Sequence, residues 1–164
     1  MNLISVQQNK RLIWLGAGNA VTPAIDFEQY TNVTLVEARE DACCMLRDKY
    51  KGQHIDVVNK LVYAANKPTH LNIYNISDYS SSREPSALKE WFPSLKLIAK
   101  SPVDSLSILG FLHGLGQDDE EAMNELVIDT PDIAYELLEE LDKKQVMYRF
   151  NTVRLVYPVE SIYE

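Results

Sequence analysis

The stretch LIWLGAG, residues 12–18, decides the fold class, because an apolar strand runs directly into a glycine-rich turn. A second apolar strand, Val33 to Val36, follows and ends in Glu37. A glycine turn after a first strand, with an acid about 20 residues later at the tip of the second, is how proteins hold nucleotide-type cofactors through phosphate or ribose contacts. The opening of the chain therefore predicts a βαβ unit with a cofactor-shaped site.

Length and composition indicate one ordinary domain. With 164 residues and 46% hydrophobic content, the chain is expected to form a single domain, residues 1–164, that needs neither disulfides nor a structural metal. Cys43 and Cys44 are adjacent and cannot form a normal disulfide. No zinc-ligand spacing connects the three scattered histidines, so we expect no metal site. These histidines are His54, His70 and His113.

The charge of the chain and its apolar segments restrict the partners that we expect. A net charge of −8 argues against a nucleic-acid partner, because such binding needs a basic patch that neutralises phosphates. Eleven acids and no lysine or arginine lie between Asp118 and Asp142, which we interpret as a solvated loop and the outer face of a helix. Residues 1–11 lack the apolar core of a signal peptide, and no apolar stretch of about 18 residues occurs. We therefore expect a soluble, cytoplasmic protein without a membrane partner.

Predicted strands and helices alternate along the chain, which is typical of a Rossmann-like α/β fold with a mostly parallel sheet and flanking helices. The expected helices are one capped by Asn19 and running to about Glu28, one over 40–51 with Ala42, Met45 and Leu46 inward, one near 86–91, one over 106–112, and one capped by Thr130 with Pro131 in its first turn. The expected later strands are 55–59, 61–64, 71–74, 95–99, 125–128, 146–150 and 153–157, with 61–64 and 71–74 paired across a turn at 66–68. The polar segment 77–83 is interpreted as a mobile loop over a site.

Three residues of the opening unit are candidates for direct cofactor contact. Gly16 and Gly18 leave space for a close approach of the backbone to a ligand, because a β-carbon at either position would fill it. Glu37 is placed to accept hydrogen bonds from ribose hydroxyls. A dinucleotide fingerprint would continue to a third glycine, but Ala20 and Val21 occupy that part of the chain. An NAD(P)-dependent oxidoreductase is therefore the lower-weight alternative.

Downstream segments resemble, in the same order, the signature segments of the FkbM family of methyltransferases. These segments are VTLVEAR (33–39), IDVVNKLVYAANKPTHLNIYN (55–75), SSSREP (80–85), SPVDSLSIL (101–109) and ELVIDTPDIAYELLEEL (125–141). The family is similar in its order of parts: an acid after the second strand, a third strand leading to an alanine-bearing turn, a serine-rich loop, and an Asp-containing motif that opens a helix. The resemblance extends from Leu12 to about Leu141.

The resemblance implies a class I methyltransferase fold that binds S-adenosylmethionine and methylates an oxygen of a sugar or another small hydroxylated acceptor. It implies that Asp129 lines the methyl-transfer centre, although a helix-start acid that stabilises the helix dipole is an equally weighted alternative. Lys60 and His113 are further candidates for a general base. The implied cofactor contacts come from Gly16, Ala17, Gly18, Glu37, Ala38 and Asn59.

Departures from the family pattern support a second hypothesis. Trp14 stands where methyltransferases commonly have an acid, two residues before the first glycine. Thr130, Pro131 and Asp132 replace the Val-Glu-Gly of the last motif, so that its glutamate is lost, and the sequence leaves open whether Asp132 takes its place. The alternative is a non-catalytic binding or assembly module, in a homodimer or beside a partner protein. Trp91, Phe92 and Tyr157 are equally compatible with a core and with such an interface.

Overall fold

The computed structural model of the chain describes residues 9–85, 88–115 and 123–156. The described strands are β1 (Lys10–Leu15), β2 (Asn32–Glu37), β3 (Ile55–Asn59), β4 (Leu61–Tyr63), β5 (His70–Tyr74), β6 (Leu97–Pro102), β7 (Ser105–Ser107), β8 (Met123–Ile128) and β9 (Thr152–Leu155). The described α-helices are α1 (Glu40–Lys49), α2 (Leu88–Trp91), α3 (Ile108–Gly114) and α4 (Ala134–Lys143). None of these helices is long and apolar enough to span a membrane.

Five strands form one parallel sheet in the order β3-β2-β1-β8-β9. Leu15 at the end of β1 is aligned with Val36 on one side and with Ile128 on the other. The chain therefore leaves β1 first towards β2 and β3, and returns on the opposite side of β1 with β8 and β9. This reversal creates a topological switch point beside β1, as in doubly wound sheets. The predicted α/β class with a parallel sheet and flanking helices is confirmed.

Both faces of the sheet are buried, because helices cover each of them and successive side chains of a strand point to opposite faces. Leu12 and Trp14 of β1 face α1, where they pack with Leu46. Ile13 and Leu15 point to the opposite face and pack against α3 and α4. The helix residues buried on that second face are Ile108, Phe111, Leu112, Ala134, Leu137 and Leu141. The first strand is thus the centre of the core.

The crossover between β3 and β8 contains two small sheets. β4 pairs in parallel with β7, and β5 pairs antiparallel with β6. The prediction that 61–64 and 71–74 pair with each other is therefore wrong, although both segments are extended. Their partners lie more than 20 residues further along the chain, and such distant pairings are not set by the turn at 66–68. The strand expected at 95–99 is shifted to Leu97–Pro102.

The predicted helix from Asn19 to Glu28 is wrong. Its first internal hydrogen bond would need an N–H at Pro23, which proline lacks. Asn19 instead accepts a hydrogen bond from the N–H of Val21 at 3.2 Å, and Ala20 takes a positive φ of 51°. A short 3₁₀ turn, Phe27–Gln29, is the only helical part of this segment. The turn after β1 therefore leads into irregular chain.

Two further helix predictions need correction. α1 ends at Lys49, and Met45, predicted to face inward, is 46% exposed, because Ala42, Cys43 and Leu46 fill the buried side. α3 begins after the predicted start, since Ser107 accepts a hydrogen bond from the N–H of Gly110 at 3.1 Å and caps the helix there.

The carboxyl-terminal part of the chain also differs from prediction. α4 begins at Ala134 rather than after a Thr130 cap, because the N–H of Ile133 donates to the carbonyl of Thr130 at 3.0 Å and closes a turn around Pro131. The predicted strand 146–150 is a 3₁₀ turn at Met147–Arg149. Its apolar residues are spaced three to four apart, which suits one face of a helical turn. The predictions for 86–87, for 118–122 and for Tyr157 lie outside the described residues.

A buried carboxylate connects three strands near their amino ends. Glu125 of β8 is 4% exposed, and the Tyr30 hydroxyl donates to its Oε2 at 2.8 Å. The Nε of Arg154 lies 2.5 Å from its Oε1, and Lys10 Nζ lies 3.9 Å from its Oε2. Burial and this carboxylate raise the pKa of Tyr30 to about 12. The hydrogen bond and the cations offset the cost of burying Glu125, so that β1, β8 and β9 are held together at the end opposite the glycine turn.

Candidate functional site

A cavity of about 330 Å³ opens at the carboxyl ends of β1, β2 and β8. We call it the carboxyl-edge cavity. It lies at the switch point beside β1, where open parallel sheets bind their ligands. Its lining consists of residues from 15–19, 36–39 and 129–132 at the sheet, and from 60–62, Leu71 and 77–82 in the crossover, with Thr22 and Val156 beside them. The cavity therefore brings together the glycine turn, the tip of β2 and the segment after β8, as the sequence predicts.

The two glycines of the turn have different roles. The N–H groups of Gly16 and Ala17 both donate to the carbonyl of Val36, at 2.9 and 3.0 Å. A β-carbon at Gly16 would lie 2.2 Å from the carbonyl oxygen of Asp129. The space beside Gly16 is thus occupied by the backbone of the protein itself. A β-carbon at Gly18 would meet no heavy atom within 4 Å, so Gly18 is the glycine with open space beside it.

Glu37 braces the turn that it was predicted to serve. Its Oε2 accepts the N–H of Gly18 at 2.8 Å, and its Oε1 accepts the N–H of Arg39 at 2.8 Å. The residue is only 8% exposed, and it lines the carboxyl-edge cavity. Because each carboxylate oxygen has two lone pairs, both oxygens retain acceptor capacity for a ligand hydroxyl. Its first role is nevertheless to fix the distance between the glycine turn and β2.

Ala38 and Asn59 occupy different positions relative to the cavity. Ala38 lines it, together with Ala17, whereas Asn59 does not. The Nδ2 of Asn59 donates to the carbonyl of Glu37 at 3.1 Å and to the carbonyl of Ala38 at 3.0 Å. Asn59 therefore positions the tip of β2 from behind, and its predicted cofactor contact would be indirect.

Asp129 combines a fixed backbone with an unusual carboxyl group. Its N–H donates to the carbonyl of Leu15 at 2.8 Å, which anchors the residue at the end of β1. Burial raises the pKa of Asp129 to about 6, against a smaller lowering effect of the neighbouring Trp14 indole, and the negative charges of Glu37 and Asp78 raise it further. A carboxyl group with a pKa near neutrality is suited to proton transfer. The helix-dipole alternative is not supported, because α4 begins only at Ala134.

Trp14 places a polar atom next to this carboxyl group from inside the core. The side chain is fully buried among the apolar residues that face α1, and its Nε1 is buried without a partner in hydrogen-bond geometry. The nearby N–H accounts for the lowering effect on the pKa of Asp129. Trp14 is therefore a core residue whose one polar atom lies close to the candidate catalytic group.

Asp132 holds the serine-rich segment against the cavity. Its Oδ2 accepts the N–H of Ser82 at 3.1 Å and the Ser82 hydroxyl at 2.9 Å. Burial raises the pKa of Asp132, and the hydrogen bonds from Ser82 lower it by less. Arg83 forms an ion pair with Glu136 of α4 at 2.8 Å, which adds a second connection. The segment 77–83 therefore borders the carboxyl-edge cavity, as predicted, and is tied to the wall opposite β2, while its mobility stays a prediction.

The other candidate bases and several unexpected residues complete the lining. Lys60 lines the carboxyl-edge cavity and forms an ion pair with Asp104, whereas His113 is exposed on α3 and does not line it. Sequence reasoning missed Asp78 and Thr130, whose Oγ1 is buried without a hydrogen-bond partner. Thr130 directly follows Asp129 and was assigned only a capping role, whereas no spacing motif marks Asp78, which the fold brings to the cavity. Among the described residues, no cluster of three His, Cys, Asp or Glu side chains is arranged to hold a metal ion.

Neither a protein-family model, nor a curated protein, nor a solved structure matches the chain. The resemblance to the FkbM family therefore stays a prediction from the order of its motifs. The geometry of the carboxyl-edge cavity is the basis for the functional inference.

Proposed function

We propose that the chain binds S-adenosylmethionine in the carboxyl-edge cavity and transfers its methyl group to a hydroxyl of a sugar or another small hydroxylated acceptor. The observation that supports this proposal is the convergence of Gly18, Glu37 and Asp129 on one cavity of about 330 Å³ at the switch point of a parallel sheet. This arrangement is compatible with a class I methyltransferase fold. The volume lies at the lower end of the range of small-molecule sites.

The residues present fit this cofactor better than a dinucleotide. A dinucleotide places its pyrophosphate at the N-terminus of the helix that follows the glycine turn. Residues 19–26 form no helix here, so that this positive helix end is missing from the turn. S-adenosylmethionine has no phosphate and does not need it. The open space beside Gly18 and the unpartnered hydroxyl of Thr130 are compatible with a ligand in the cavity.

Each charged group has a chemical role in this proposal. Glu37 accepts hydrogen bonds from ribose hydroxyls through its remaining lone pairs, while it keeps the glycine turn in place. When bound, the cofactor supplies an electrophilic methyl group on a positively charged sulfur. Asp129 accepts the proton of the acceptor hydroxyl, because with a pKa of about 6 it is mostly ionised at neutral pH and still basic.

Calorimetric titration with S-adenosylhomocysteine tests the cofactor part of the proposal. We expect binding to the intact chain and a loss of affinity of about ten- to a hundredfold in Glu37→Gln, because a charged acceptor at this position is replaced by a neutral one. Glu40→Gln is the matched control, since this carboxylate lies next to the site on α1 with its side chain 68% exposed. We expect its affinity to change by less than about twofold.

Two results of that titration would contradict the proposal. One is the absence of heat and of any melting-point shift at millimolar S-adenosylhomocysteine. The other is an equal affinity loss in Glu37→Gln and Glu40→Gln. Because Glu37 also braces the turn, the melting temperature of each variant is measured first, and the titration is run well below it.

A non-catalytic binding module is the second candidate function. It is favoured by Trp14, which occupies the position of the family's acid and is fully buried in the core. It is also favoured by the exposed aromatic side chains of Trp91 and Phe92, which are 57% and 37% exposed. A methylation that is abolished in Asp129→Asn and in Glu37→Gln would exclude this function.

A further inference from the structure

A second, more open cleft of about 480 Å³ lies beside the carboxyl-edge cavity. We call it the basic cleft. The two spaces share Ser82, which lines both of them. The lining of the basic cleft consists of Lys67, Pro68, Thr69, His70, Asn72, Ser82, Glu84 and Lys100.

The antiparallel pair β5 and β6 separates the two spaces. Successive side chains of a strand point to opposite faces, so Leu71 lines the carboxyl-edge cavity while His70 and Asn72 line the basic cleft. Asn72 is aligned with Lys100 of β6, which places both residues on the same face. The face of this small sheet is thus a polar platform, and its opposite face is a wall of the proposed cofactor site.

The charge of the basic cleft is opposite to that of the whole chain. Lys67 and Lys100 line the cleft with one carboxylate, Glu84, in a protein with a net charge of −8. A second carboxylate, Asp104, lies near Lys67 but is already ion-paired with Lys60. Glu84 lies 3.6 Å from Lys100, while Lys67 makes no ion pair within the described part of the chain. An excess of positive charge in a concave surface of an acidic protein attracts anions.

Asn72 is a polar side chain that lines this cleft. The residue is only 6% exposed, and its carboxamide makes no hydrogen bond with any residue that the structure describes. The carboxamide atoms keep contact with solvent in the cleft, so their hydrogen-bonding capacity is available to a ligand there. The carboxamide donates two N–H bonds, which suits an anionic oxygen beside a lysine.

We propose that the basic cleft binds the anionic group of the methyl acceptor, a phosphate or a carboxylate, so that the substrate is an acidic sugar derivative or a similar hydroxylated anion. The residues of the basic cleft are by themselves the basis for proposing that it binds an anion. Its assignment to the acceptor rests on the proposed function, because it depends on the neighbouring cavity holding the cofactor. Ser82 marks where the two parts of such a substrate meet.

Titration with inorganic phosphate, followed by the backbone amide signals in two-dimensional NMR at constant ionic strength, tests the inference. We expect saturable shifts in 67–72 and 82–84. Lys100→Gln is expected to weaken binding by about three- to tenfold. Asn72→Ala is expected to weaken it by a similar factor, because it removes the two N–H donors of the carboxamide that lines the cleft. Lys96→Gln is the matched control, since Lys96 directly precedes β6, is exposed and does not line the cleft.

The outcomes separate this inference from the proposed function. Phosphate shifts that do not saturate, or an equal weakening by Lys96→Gln and Lys100→Gln, would overturn the basic cleft as an anion site. Acetate, titrated in the same way, shows whether a carboxylate takes the place of the phosphate. S-adenosylhomocysteine is titrated into the same variants, and we expect Lys100→Gln to leave its affinity unchanged. Phosphate binding without S-adenosylhomocysteine binding would overturn the assignment to a methyl acceptor and leave the anion site standing.

Discussion

Replacement of Gly16 by alanine is expected to destabilise the protein by about 2–5 kcal/mol, a large part of the stability of a typical domain. Two effects add in this substitution. Gly16 has a φ of +74°, a conformation that costs an L-residue about 1–2 kcal/mol. The new β-carbon would also lie 2.2 Å from the carbonyl oxygen of Asp129 and 2.7 Å from the methyl group of Thr130. Relief of that overlap forces the ends of β1 and β8 apart, at a further cost of about 1–3 kcal/mol.

Gly18→Ala is the matched control for this prediction. Gly18 has a similar positive φ of +54°, but no heavy atom lies within 4 Å of the position that its β-carbon would take. We therefore expect only the conformational cost, about 1 kcal/mol. Urea denaturation of the two variants and the parent chain measures both values. Equal losses in the two variants would show that contact with Asp129 does not determine the requirement for glycine.

The parts of the fold that the sequence predicts are those encoded locally. The first three parallel strands follow from apolar runs separated by the glycine turn and by one amphipathic helix. Asp129 is predicted at a strand end because a buried apolar strand precedes it directly. These features need only the residues of one βαβ unit or one strand. For the same reason the glycine turn, Glu37 and Asp129 are correctly expected at a common edge of the sheet.

The parts that the sequence does not predict depend on distant contacts. Leu61–Tyr63 pairs with Ser105–Ser107, and no property of either segment identifies its partner. The hydrogen bond between the N–H of Gly18 and the carboxylate of Glu37 gives both residues a structural role, whereas each was expected to contact a ligand. The basic cleft combines Lys67, Asn72 and Lys100, which are scattered in an acidic chain. The β5–β6 register aligns Asn72 with Lys100, and Lys67 precedes β5.

Carboxyl groups at the carboxyl-edge cavity are buried at a cost in stability. Asp129 and Asp132 both have pKa values raised by burial. Asp132 recovers part of that cost through two hydrogen bonds from Ser82, whereas no side-chain partner in hydrogen-bond geometry is found for Asp129 within the described residues. A half-buried, poorly compensated carboxyl group in a cavity is typical of a functional residue rather than a structural one. Replacement of Asp129 is therefore expected to raise the stability of the protein and to lower its activity.

Asp129→Asn is expected to stabilise the protein at pH 8 and to leave its stability nearly unchanged at pH 4. The pKa of Asp129 is about 6 in the folded protein against 3.8 for the free group, so the folded state binds the proton more tightly. The penalty for an ionised Asp129 is absent below pH 4 and fully present above pH 6. A shift of this size corresponds to about 3 kcal/mol, which partial solvent exposure reduces to about 1–2 kcal/mol. The melting temperature of the variant should then exceed that of the parent by about 3–6 °C at pH 8.

Under the proposed function, the same substitution is expected to lower methyl transfer by about 100- to 10,000-fold, because it removes the proposed proton acceptor. In the parent chain the rate should fall as the pH drops below about 6, where Asp129 becomes protonated. Asp48→Asn is the control for both measurements, since Asp48 is exposed on α1 outside the cavity. A difference in melting temperature that is the same at pH 4 and pH 8 would contradict the raised pKa. Stabilisation at pH 8 with an unchanged rate would support the raised pKa of Asp129 but would contradict its role as the proton acceptor. A base that takes the acceptor proton cannot be replaced by an amide without loss of rate.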